Sequence, residues 1–182
     1  MTHAGGLKPL PLAEVYALIE PGPVVLLATH GSAGDNVMAM SWHMMVEFTP
    51  PRIACVVSGG DFSFTALRAN RACVIGIPPL AMAETVVKIG NCSGRDLDKF
   101  ATFGIPAYPA SLVKAPLIGG CFANLECRVI DTRLVNRFNL FVLEVVAAWQ
   151  DPAITDRRTI HHKGYGHFAV DGTDLTLPSR MP

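Results

Sequence analysis

Residues 61–71, DFSFTALRANR, set Ser63, Thr65 and Arg68 at the start of a stretch that can wind into a helix. Hydroxyls and free backbone N–H groups at a helix N-terminus suit an anion, a phosphate above all; plain capping by Asp61 or Ser63 is the other use of the same residues. Further along, NCSGRDLDKF (91–100) puts Arg95 and Lys99 beside a loop of small residues. Two cations there could hold a phosphate, or could be an ordinary loop with a solvated face. A third candidate is NVMAMSWHMMVEF (36–48), a strand-like stretch that carries Met38, Met40, Met44 and Met45 around Ser41, Trp42 and His43. Core strands are ordinarily built of Val, Ile and Leu, whereas thioethers beside an aromatic suit contact with a flat, polarizable ring. A core patched with methionine is the alternative. If the stretch is one strand, alternation puts Met38, Met40 and Met44 on one face and Met45 on the other.

His161, His162 and His167 raise the question of a metal. Adjacent strand histidines face opposite ways and no HExxH-type spacing occurs, so we expect no metal site and leave a substrate contact open for one of them. The chain has no GxSxG elbow, no GxGxxG and no GxxxxGK[ST], so neither covalent hydrolysis nor a Rossmann or P-loop phosphate site has support.

The elements that must carry these residues follow from pattern. A helix is expected at 12–20, ended by Pro21-Gly22-Pro23, and the run at 24–30 reads as a strand followed by the turn cluster GSAGDN. Strands follow at 36–48, 51–58 and 72–77, with helices at 61–71, 81–90 and 96–104. After a Pro-, Ala- and Gly-rich loop come long strands at 122–135 and 138–150, joined at Asn136-Arg137, and then a tail from 151 to 182 with short strand candidates. Strands that follow one another directly argue for a mainly β, closed or nearly closed barrel with helical insertions over a doubly wound sheet.

At 182 residues the chain suits one domain over 1–182. Half of it is hydrophobic and only 16% is charged, so a large core or a surface covered by a partner subunit is expected. Fifteen basic and fifteen acidic residues leave no field that would recruit nucleic acid or anionic lipid. The longest apolar runs fall short of the ~20 residues a spanning helix needs, and no signal pattern opens the chain, so a cytoplasmic protein is expected. Cys55, Cys73, Cys92, Cys121 and Cys127 form no CxxC pair and read as free thiols.

In chain order, several pieces resemble the flavin reductase-like family of FMN-binding split barrels, which includes flavoredoxins. They are PVVLLA (23–28), N-x-M-x-x-S-W from Asn36 to Trp42, PPRIACVV (50–57) and SFTAL (63–67). Next come S-G-R-D-x-D-K-F from Ser93 to Phe100, APLI (115–118), LECRV (125–129) and F-x-x-E-V ending at Glu144 and Val145. The resemblance runs roughly from Pro21 to Gln150. It implies an antiparallel Greek-key barrel, a homodimer, and FMN near the subunit interface.

By that resemblance Met40, Ser41, Trp42 and His43 border the flavin ring, with Ser58 on the neighbouring strand end. Ser63, Thr65 and Lys99 hold the phosphate, supported by Arg95. His43 or the tail residues His161, His162, Tyr165 and His167 line the substrate side, where the tail could act as a lid. The family often has Thr where this chain has Ala39, and a basic residue where it has Gly59-Gly60-Asp61, so phosphate charge falls to Lys99, Arg95 and backbone donors. The implied activity is NAD(P)H:flavin oxidoreduction, with hydride passing to flavin N5 and electrons to an acceptor such as a monooxygenase or another redox protein. The alternative is a flavoredoxin-like electron carrier without NAD(P)H turnover; a barrel holding haem or another ligand, or a bare dimeric scaffold, lies further off.

Overall fold

Val25 and Leu27 pack into one apolar core, and Leu26 and Ala28 into a second. A strand buried on both faces needs no polar alternation, which is why this run is apolar throughout. It is β2 (Val25–Gly31) of a computed structural model that describes residues 3–179. Residues 1–2 and 180–182 of the expected 1–182 unit lie outside the described residues.

The other strands are β1 (Lys8–Pro9), β3 (Gly34–Met40), β4 (His43–Phe48), β5 (Pro51–Val56) and β6 (Ala72–Ile77). They continue with β7 (Ala107–Tyr108), β8 (Leu117–Ile118), β9 (Ala123–Asp131), β10 (Leu140–Gln150), β11 (Ile160–Gly164) and β12 (His167–Val170). The helices are α1 (Val15–Ile19), α2 (Phe62–Asn70), α3 (Ala83–Gly90), α4 (Lys99–Thr102) and α5 (Val135–Phe138). The main sheet is antiparallel in the order β3-β2-β6-β9-β10-β5-β4, with β1 added beside β10. Its end strands, β3 and β4, are consecutive in the chain. The curled sheet therefore closes through the dipeptide Ser41-Trp42 and not through a hydrogen-bond ladder. The mainly β barrel with helical insertions is as expected. One core fills its interior, and the second lies between its outer face and α3, α4 and the β11–β12 hairpin.

Several elements depart from expectation. The stretch 36–48 is two strands, because the chain turns from one sheet edge to the other at Ser41-Trp42, where Trp42 accepts a bond from the Val56 N–H at 3.0 Å. That break resets the alternation. Met40 lies in the core, Met38 and Met45 pack against it, and Met44 is exposed, so Met40 and Met44 do not share a face. The helix expected at 96–104 shrinks to α4, whose start is fixed by Asp98 capping the Ala101 N–H at 3.1 Å. The helix expected at 12–20 opens as a 3₁₀ turn over Leu12–Glu14 before α1. Asn136-Arg137 lies inside α5, and β9 ends at Asp131.

Glu126 on β9 is fully buried and anchors the long loop after β7. Its carboxylate accepts from the N–H groups of Ser111 (2.9 Å), Leu112 (2.5 Å) and Val113 (3.1 Å) and from the Trp149 indole (2.8 Å). Among the described residues the cysteines are free, four of them buried and Cys92 half-buried. No described helix is long and apolar enough to cross a membrane.

Candidate functional site

Two clefts adjoin on the outer face of the sheet. The first, of about 240 Å³, is walled by β3, the start of α2 and the loop from α3 to α4. Lys99 is buried in it, and its Nζ donates to the Ile89 carbonyl at 2.9 Å. Burial lowers the Lys99 pKa, an effect that nearby Cys92 and Asp61 oppose. Ser63 is buried and accepts from Asn36 Nδ2 at 2.8 Å. Arg95 ties the two loops of the cleft together by donating to the Gly60 carbonyl at 3.0 Å. Asp61 turns its carboxylate to the Ser58 N–H at 3.0 Å and makes no cap bond to α2. The first N–H groups of α2 thus meet the cleft without a capping side chain. Buried ammonium, guanidinium, hydroxyls and helix N–H groups form a donor set suited to a phosphate.

The second cleft, of about 290 Å³, is lined by Ala39, Met40, Ser41 and Val24, by Val86, Val87 and Asn91 of α3 and its end, and by His162, Gly166 and Phe168 of the β11–β12 hairpin. The two clefts share Ala39 and Gly90. Their chemistry differs along that line, cationic at one end and apolar at the other. Such a site suits a phosphate tethered to a flat ring, so the residues present fit FMN.

Of the residues expected at a cofactor site, Ser63, Arg95 and Lys99 converge in the first cleft, and Met40 and Ser41 line the second. Thr65 is exposed on α2 outside both linings, because the helix turns it away from Ser63. Trp42 is 72% exposed and also lies outside them, since the β3–β4 break swings it outward. Ser58 sits beyond the end of β5 and bonds within its own loop, its Oγ accepting from the Gly60 N–H at 3.2 Å.

The tail residues separate as well. His162 reaches the ring cleft, Tyr165 stands fully exposed at the hairpin tip and His167 is exposed. His161 instead clasps the hairpin down, with ring nitrogens 2.6 Å from Asp171 and 3.1 Å from the Gly22 carbonyl. Asn36, Gly60 and Gly94 also line the first cleft without having stood out as site residues. Asn36 and Gly94 lie within recognisable motifs, but nothing in their types says that a buried amide and a close backbone approach are needed there.

His43 lies outside both linings and points away from solvent, with Nε2 2.7 Å from the Pro23 carbonyl and Nδ1 buried without a partner. The carbonyl contact places the proton on Nε2. Burial lowers its pKa from 6.5, against the opposing bond to Pro23. Below 6.5 the unfolded chain therefore takes up a proton before the folded one, and stability falls as the pH falls. We expect His43→Gln to flatten this decline, by at most about 1.4 kcal/mol per pH unit. Urea titrations across the acid range check this, and parallel curves would exclude His43 as the source.

A closed antiparallel barrel with a cationic cradle running into an apolar cleft is the architecture of the FMN-binding, flavin reductase-like split barrels. The chain belongs to the flavin reductase like domain family, whose model matches residues 18–168. It is 32% identical over 182 residues to the uncharacterized protein YddH of Escherichia coli (strain K12), covering 92% of this chain and 96% of that one. It is 22% identical over 158 residues to the FMN reductase (NADH) RutF of Bradyrhizobium diazoefficiens, covering 85% and 86%. In fold it is similar to the FMN-binding domain of a flavin reductases-like enzyme from Shewanella baltica OS155, with a TM-score of 0.88 at 24% identity over 98% of this chain and all of that one.

Proposed function

We propose that this chain binds FMN and works as an NAD(P)H:flavin oxidoreductase. The observation that carries the reading is that the two clefts adjoin at Ala39 and Gly90, with phosphate donors at one end and an apolar, ring-sized space at the other. RutF, named as an NADH-dependent FMN reductase, supports the choice of reaction. Bound there, FMN supplies the redox chemistry, taking hydride from NAD(P)H and giving electrons to a small molecule, a monooxygenase or another redox protein. Lys99 and Arg95 neutralise the phosphate while Ser63 and the α2 N–H groups orient it. Met40 and Ser41 edge the ring, and the hairpin carrying His162 screens it from water. The protein works in the cytoplasm as a homodimer; the dimer is supported by exposed Trp42 and, along the edge strand β4, by exposed Met44, Val46 and Phe48.

The test is an absorbance scan with added FMN, followed anaerobically by NADH or NADPH. Flavin bands that shift on binding and then bleach with a pyridine nucleotide are expected. Bands that stay would leave an electron carrier, and a protein that does not take up FMN would overturn the reading.

Gly94 gives a narrower check. A β-carbon there would collide with the Asn36 side-chain oxygen and lie 2.6 Å from the Phe62 ring, so the loop must move outward. Gly94→Ala is expected to weaken FMN binding by about tenfold. Fluorescence titration measures it, and an unchanged affinity would detach this loop from the phosphate.

A further inference from the structure

Beyond the ring cleft, α3 and the β11–β12 hairpin flank an open groove of about 530 Å³, walled by Leu80, Ala83, Val87, Ile160, Phe168 and Val170. It shares Val87, Gly166 and Phe168 with the ring cleft, so the two spaces adjoin. The helix explains the apolar wall. Val86 and Ile89 are buried in the core beneath α3, while Ala83 and Val87, one turn apart, line the groove. The charged groups in its lining, Glu84 and Lys88, face each other at 4.0 Å. Lys88 is the one cation in the lining and Glu84 offsets its charge, so the groove is not built for a dinucleotide's pyrophosphate.

The opposite wall is held in place. Val24 N–H donates to the Ile160 carbonyl at 2.8 Å, and the His161 clasp fixes the strand beside it. At the junction with the ring cleft, the His162 ring lies 5.3 Å from that of Phe168. Neither of its nitrogens has a hydrogen-bond partner among the described residues.

We propose that this groove binds an uncharged, planar compound of one or two aromatic rings that carries an oxygen, with His162 hydrogen-bonded to that oxygen. The volume suits such a molecule, since ligand pockets run from about 300 to 1,000 Å³, and the apolar walls gain by losing their water. This deepens the FMN reading, on which it rests, by naming the class of molecule brought beside the ring.

The probe is 2-naphthol, titrated calorimetrically into the full chain with and without saturating FMN. Binding is expected, and Ala83→Glu and Val170→Glu each weaken it by about tenfold or more. Both substitutions lie outside the FMN clefts, so an unchanged FMN affinity shows that each variant is folded. His162→Phe weakens 2-naphthol but leaves naphthalene binding as it was. Failure of wild type to bind 2-naphthol, or equal binding by both glutamate variants, would overturn the proposal; so would a second copy of the chain covering the groove. If FMN does not bind but 2-naphthol responds to the variants as stated, the groove stands and the flavin reading falls.

Discussion

Replacing Lys99 with methionine is expected to lower FMN affinity by about a hundredfold, close to 2.7 kcal/mol. The ammonium is buried, and its one protein partner is the uncharged Ile89 carbonyl. An arriving phosphate therefore meets a charge that has no ion-pair partner among the described residues, although Asp61 lies near it. Burial lowers the Lys99 pKa and a bound phosphate raises it again, so binding should take up a proton at alkaline pH. Affinity then weakens as the pH rises through the lowered value, and the methionine variant loses that dependence. Fluorescence titrations of FMN at several pH values read both effects. An affinity within twofold of wild type, or an unchanged pH profile, would remove Lys99 from the phosphate site. Arg95, exposed and committed to the Gly60 carbonyl, should matter less.

Glu126→Ala is expected to destabilise the protein by about 3 kcal/mol or more. The change leaves three loop N–H groups and the Trp149 indole without their shared acceptor. Glutamine keeps the shape but turns one acceptor into a donor that faces other donors, so it should recover only part of the loss. Urea unfolding followed by circular dichroism checks both variants. A loss below about 1 kcal/mol for alanine would mean that water replaces the carboxylate.

Pattern alone carried the barrel far. PVVLLA is a strand because both its faces meet apolar neighbours, FVLEVV because it alternates, with Phe141, Leu143 and Val145 in the core and Glu144 on the other face, and α2 and α3 follow from spacing and from what ends them. What stayed hidden was long-range. No glycine or proline marks Ser41-Trp42, so nothing local says that the chain leaves one sheet edge for the other there. Reading through that dipeptide costs the parity of Met44, and Trp42, expected beside the ring, stands exposed outside both clefts. Thr65 belongs to the same motif as Ser63, but the helix turns it out of the cleft that Ser63 lines. The hairpin turn, with Gly164, Tyr165 and Gly166 all at positive φ, is local and legible. The division of labour between His161 and His162 is not, because it depends on Asp171 and Gly22 arriving from elsewhere.

The join at Ser41-Trp42 also bears on motion. Elsewhere along the path each strand is laddered to both neighbours, but β3 and β4 are each laddered on one side only. Opening of the barrel should therefore begin at this seam, at lower free energy than global unfolding. Ser41 and Met40 belong to both the seam and the ring cleft. Occupancy of the cleft then acts as a latch: amide exchange in β3 and β4 should slow when FMN is added, while β9 and β10 exchange as before. Uniform slowing across the sheet would mean that the barrel has no weak side, and that ligand entry needs none.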